Sequence, residues 1–206
     1  MKLRLTRKLL AAAAVVLSAV AGFGLWTSSA HASSSYTVTE TGAWTMINAR
    51  YPNTSYWAYD RASHARVGYY NDGSTFQLFR SIFQFDTAPW RGATIQSATL
   101  SGNLIHSWSC QPMPTEVHLT GSVGPATTWN NNAATWGPTL ASVSNQSCND
   151  VPVFTQWNVT AGVQQVASTG SPTIALGLRA TYENVNANWR KFDENSIRLT
   201  VTYTVG

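Results

Sequence analysis

Two sets of side chains in this sequence have types and spacing that could do chemistry, and both point to binding. The first is a crowd of rings in one irregular stretch: Tyr51, Tyr56, Trp57 and Tyr59, with Asp60 and Arg61 beside them. Aromatic faces lie well against the CH faces of pyranose rings, and neighbouring polar groups fix the hydroxyls, so a loop of this composition suits a sugar. The second set consists of Arg80, Gln84, His118, Arg179 and Arg198, at the polar phase of alternating segments. Arginine forks there match the carboxylates of an acidic polysaccharide.

Catalytic signatures are missing. The sequence has no Gly-x-Ser-x-Gly elbow, no His-Glu-x-x-His, no Cys-x-x-Cys and no phosphate-cradling loop ahead of a helix. Paired carboxylates for a polysaccharide hydrolase or lyase would have to come from nine Asp and Glu residues. Of these, Asp72 reads as a turn residue, Asp86 as a strand end and Asp193-Glu194 as a solvated loop. The expectation is no enzyme and no cofactor. Asp60, Asp72 or Asp86 could give oxygens to a structural calcium, although no ligand spacing marks one.

Residues 1–32 read as a secretory signal to be cleaved. Lys2, Arg4, Arg7 and Lys8 precede the apolar run Leu9 to Leu25, and Ala30-His31-Ala32 gives the small-x-small pattern before a cut at Ser33. That segment holds four of the 13 Lys and Arg and none of the nine Asp and Glu, so the mature chain carries nine of each sign. A neutral chain gives no support to a nucleic-acid partner. No other stretch is long and apolar enough to span a bilayer, so a secreted, extracellular protein that is not membrane-embedded is expected. Cys110 and Cys148, an even count in an exported chain, are expected to form a disulfide.

The elements that must position these groups are strands. Residues 33–206 are rich in Thr, Ser, Val, Asn, Gly and aromatics, a composition for a single all-β domain. The central segment is Phe76 to Asp86: Phe79, Ser81, Phe83 and Phe85 share one period-2 phase, and Arg80, Ile82 and Gln84 the other. Asn71-Asp72-Gly73 turns into it from a strand over Ala65 to Tyr70, making a hairpin. From Thr94 to Ile105 the set Gln96, Ala98, Leu100, Gly102 and Leu104 is placed inward. Gly121 to Asp150 reads as an extended connection pinned by Trp129 and Trp136, and Thr160 as the cap of one short helix, Ala161 to Ala167. About ten strands with one apolar face each predict a two-sheet antiparallel β-sandwich, or jelly roll.

An ordered set of motifs resembles the secreted DNRLRE-type domain family, related to alginate-binding carbohydrate-binding modules. Pro52-Asn53-Thr54-Ser55-Tyr56, Val67-Gly68, Arg80-Ser81-Ile82-Phe83-Gln84-Phe85-Asp86 and Gly92-Ala93-Thr94-Ile95 carry its first half. Trp129 and Trp136 with Pro138, Trp157-Asn158-Val159-Thr160 and Leu199-Thr200-Val201-Thr202-Tyr203 carry its second. Ser55 and Trp57 stand where the family has Asn and Gly, and Asn158 where it has Asp. The resemblance implies a jelly-roll sandwich with a surface or glycan role. The expected function is a secreted, non-catalytic binding module for extracellular or cell-wall polysaccharide, with a structural protein that binds another cell-surface component as the alternative. Nothing in the sequence sets an oligomeric state.

Overall fold

The computed structural model describes residues 34–57 and 64–205. The expected signal segment and its cleavage site lie outside these residues, as do Tyr59, Asp60 and Arg61. Eleven strands form two antiparallel sheets. In the first, β1 (Ser35–Glu40), β11 (Arg198–Thr204), β5 (Thr94–Ser107) and β8 (Val153–Asn158) lie in that order, with the short β10 (Arg190–Phe192) continuing the β11 side of β5. The second runs β2 (Ala43–Asn48), β4 (Phe76–Asp86), β9 (Thr173–Ala180), β6 (Met113–Leu119) and β7 (Thr139–Asn145).

β3 (Ala65–Asn71) belongs to both sheets. Ala65, Arg66 and Val67 pair with β10, and Gly68 to Asn71 pair with β4. The crossing residue is Gly68, at φ 90°. A Cβ there would run into the carbonyl oxygen of Asn188, so both the turn of the backbone and the close approach require glycine.

The alternation in β4 decides the core. Phe83 and Phe85 face inward among Leu100, Leu104, Trp157, Leu178 and Val201, while Phe79 packs with Met46, Tyr56 and Trp189 in a smaller cluster at one end. The opposite phase is also covered: Ile47, Ile82 and Ala175 lie beneath Trp57, Trp129 and Trp136. The connection 121–138 therefore lies on the outer face of the second sheet, pinned by its tryptophans as the sequence suggested. Gly177 allows this, because a Cβ there would collide with the Trp136 ring.

The structure corrects several local expectations. The segment read as a continuous connection contains a helical turn, α1 (Trp129–Asn132), and the strand β7. β5 does not keep one phase throughout: a register shift opposite Thr202 and Tyr203 buries Ile95 and exposes Gln96. The helix α2 (Thr160–Thr169) is entered from Val159 and not capped by Thr160. The Asn158 carboxamide accepts from the Thr160 N–H at 3.1 Å, while Thr160 Oγ1 accepts from the Ala98 N–H at 2.9 Å. Cys110 and Cys148 are joined in a disulfide, with Cα atoms 5.1 Å apart. Among the described residues no helix is long and apolar enough to cross a membrane.

Candidate binding site

The site begins with a cross-strand row. In the register of β3, β10 and β5, Arg66 stands opposite Lys191, and Lys191 opposite His106. The register thus sets two cations side by side at this place in the sheet. Burial depresses the Lys191 ammonium below the ordinary lysine range, Arg66 adds to the depression, and Asp150 partly opposes it. The Lys191 ammonium lies over the Trp189 ring, 5.2 Å from its centroid. The Arg66 guanidinium lies over Phe79 at 5.3 Å.

Aromatic rings build the rest of the wall. Tyr70, from the part of β3 beyond Gly68, meets Trp189 at 5.0 Å and Trp108 at 5.6 Å between ring centroids. His106 packs edge-on to Trp189 at 5.1 Å, and its Nδ1 lies 2.6 Å from Asp150 Oδ1. Trp108 is 45% exposed, and the Trp108 N–H donates to the Trp189 carbonyl at 3.1 Å. Between these walls is a cavity of about 250 Å³ lined by Arg66, Tyr70, Gln77, Phe79, Trp189 and Lys191. Its size is just under the ~300–1,000 Å³ of clefts that enclose a drug-sized ligand, so a longer molecule would leave it along the surface. Two cations, ring faces and the Gln77 amide suit a ring that bears a carboxylate and hydroxyls.

The residues singled out from the sequence sit elsewhere. Tyr51 is 46% exposed with the Arg50 guanidinium 5.8 Å from its ring centroid, and it lines no part of this cavity. Tyr56 is 9% exposed; it supports the cavity from beneath through Phe79 and Trp189 and presents no free platform. Trp57 is half-buried on the outer cluster of the second sheet. The three described aromatics of that stretch, Tyr51, Tyr56 and Trp57, therefore do not share one face.

Four of the five residues placed together on a polar sheet face do share the second sheet, and the connection 121–138 or neighbouring acids engage them. Arg80 donates from Nε and Nη2 to the two carboxylate oxygens of Glu183, each at 2.7 Å, between the rings of Trp129 and Trp136 at 4.9 and 5.0 Å. Gln84 Oε1 accepts from the Val123 N–H at 2.9 Å. His118 is buried against Trp136 and the Gly137 carbonyl, and Arg179 Nε donates to Glu116 at 3.1 Å. Arg198 is on the first sheet and donates to the carbonyls of Asn195 and Ile197, so it does not join the others.

Of the carboxylates considered for calcium, Asp60 lies outside the described residues, and Asp72 and Asp86 find local donors. Asp72 accepts from the N–H groups of Ser74 and Thr75, and Asp86 from that of Ala88. Among the described residues no group of three or more His, Cys, Asp or Glu side chains is placed to hold a metal.

Sequence reasoning missed the cavity because its residues are gathered from β3, β4 and the segment 189–191, and β10 is a three-residue strand too short to show a period. The available signal was local: Trp189-Arg190-Lys191-Phe192 alternates, and Arg66 interrupts Ala65 and Val67.

No family model matches the chain, and no curated protein matches it. Among solved structures, the K1 cleaved adhesin domain of Lys-gingipain from Porphyromonas gingivalis W83 is similar at 11% identity, covering 83% of this chain and 98% of that one with a TM-score of 0.32. A likeness that distant carries no functional weight.

Proposed function

We propose that this chain is a secreted, non-catalytic binding module of the DNRLRE-type family that holds an acidic polysaccharide of the extracellular matrix or cell wall. The observation behind this is the direct opposition of Arg66 and Lys191 at the mouth of an aromatic cavity. Two adjacent cations beside aromatic faces suit a uronate, whose carboxylate would meet the cations while its ring lies against the aromatic wall. Trp189, Tyr70 and the exposed Trp108 would take the ring faces of successive sugars. The motif order along the sequence supports the family, and the disulfide together with the N-terminal signal pattern supports export.

The test is binding of the chain from Ser33 onward to a panel of uronate-containing and neutral polysaccharides by calorimetry. Retention of the uronate class is expected, with Lys191→Ala weakening it tenfold or more and leaving the melting temperature within a few degrees. No binding to any member, or equal binding by Lys191→Ala, would sink the proposal.

A further inference from the structure

The segment 188–192, which includes the short strand β10, has a second side. Trp189 and Lys191 line the cavity, whereas Asn188, Arg190 and Phe192 are each 0% exposed. Arg190 is thus a cation wholly inside the sandwich. Its Nη2 donates to the carbonyls of Asn145 at 3.0 Å, Met113 at 3.4 Å and Gln111 at 3.5 Å. Among the described residues its Nε and Nη1 have no acceptor, and the Asn188 side chain has no partner at either its oxygen or its nitrogen.

No carboxylate compensates the charge. Arg190 takes part in none of the ion pairs among the described residues, and burial alone pushes its guanidinium down to about 10. That is still far above neutral, so the group stays charged. A buried charge without a counter-charge is among the most costly features a fold can hold, and losing one partner of a buried pair is strongly destabilising. Backbone carbonyls offset part of this as dipoles. Buried water could meet the remaining N–H groups but would leave the charge in place.

We propose that Arg190, with the amide of Asn188, holds one small monovalent inorganic anion of the chloride class inside the sandwich. Such an ion accepts from the unpartnered donors and cancels the charge together. The carbonyls gripped by Arg190 belong to residues just after Cys110 and just before Cys148, so the ion would sit where the disulfide closes the chain. It would also lie behind the cavity wall formed by the two chain neighbours of Arg190, Trp189 and Lys191. Because the unfolded chain has no such site, binding stabilises the native state by mass action.

Two measurements on the intact mature chain decide the matter. Crystals grown in sodium bromide should show an anomalous peak within hydrogen-bonding distance of Arg190 Nε or Nη1; ordered water alone there would overturn the proposal. Thermal unfolding in sodium chloride should lie about 3–6 °C above that in sodium gluconate at equal ionic strength, the size expected when the ion is present at ten times its dissociation constant. Equal melting temperatures would also overturn it. Arg190→Met should remove the difference, and if that variant does not fold, Asn188→Asp serves instead. Its carboxylate would supply the missing counter-charge in place, so an Asn188→Asp chain that kept the full chloride effect would count against the site.

Discussion

Arg80 and Lys191 are both basic residues on sheet faces, yet their surroundings give them opposite roles. Arg80 lies between two tryptophan rings, with both oxygens of Glu183 on its fork. Removing one partner of so enclosed a pair leaves the other charge poorly compensated. Arg80→Ala is therefore expected to lower stability by about 3 kcal/mol in chemical denaturation while the folded fraction keeps its polysaccharide affinity. A loss of affinity without loss of stability would return Arg80 to the ligand. Glu116 gives a second test at this scale. Burial opposes its ionisation, but hydrogen bonds from His118 and Thr181 and the charge of Arg179 outweigh that and hold it below the usual carboxylate range. A folded carboxyl that is more acidic than the unfolded one adds stability above the unfolded value and loses it as pH falls through the folded one. Glu116→Gln should accordingly flatten the acid limb of melting temperature against pH below about pH 5. An unchanged acid limb would argue that Glu116 contributes nothing through its charge.

Among the elements, β3 matters most because it ties the sheets together and gives each half of itself to a different wall of the cavity. Arg66 comes from the half paired with β10, and Tyr70 from the half paired with β4. The change of sheet happens at Gly68, where positive φ and the nearby Asn188 carbonyl leave no room for a side chain. Gly68→Ala should cost about 2–4 kcal/mol and also weaken polysaccharide binding, because the two walls would lose their relative register. Normal stability with normal binding would show that the crossing tolerates a side chain. The β3–β4 hairpin itself was readable from Asn71-Asp72-Gly73 and the long alternation that follows. That its first strand changes partners was not, since a strand's own period says nothing about which neighbour it will meet.

Taken as a whole, the chain from Ser33 onward has nine basic and nine acidic residues, so its net charge gives no long-range attraction to a polyanion. Attraction must come from the Arg66 and Lys191 row at short range. Raising salt from about 0.05 to 0.5 M should thus weaken uronate binding by roughly tenfold and leave any residual ring stacking in place. Salt-independent binding would mean that the cations are not in contact with the ligand. What the sequence determined by itself is the part that follows from local chemistry: strands from alternation, the inward set of β4, the disulfide from two cysteines, and tryptophans pinning a long connection. Each of these follows from residue type, count or local pattern. Only the tertiary structure decided that Tyr56 is buried, that Arg80 and Gln84 lie under the 121–138 connection, and that Trp189 and Lys191 meet Arg66 and Tyr70 where β10 pairs with β3. Those outcomes depend on which distant segments pack together, and a connection folding back over a polar face leaves no trace in the period of the strand it covers.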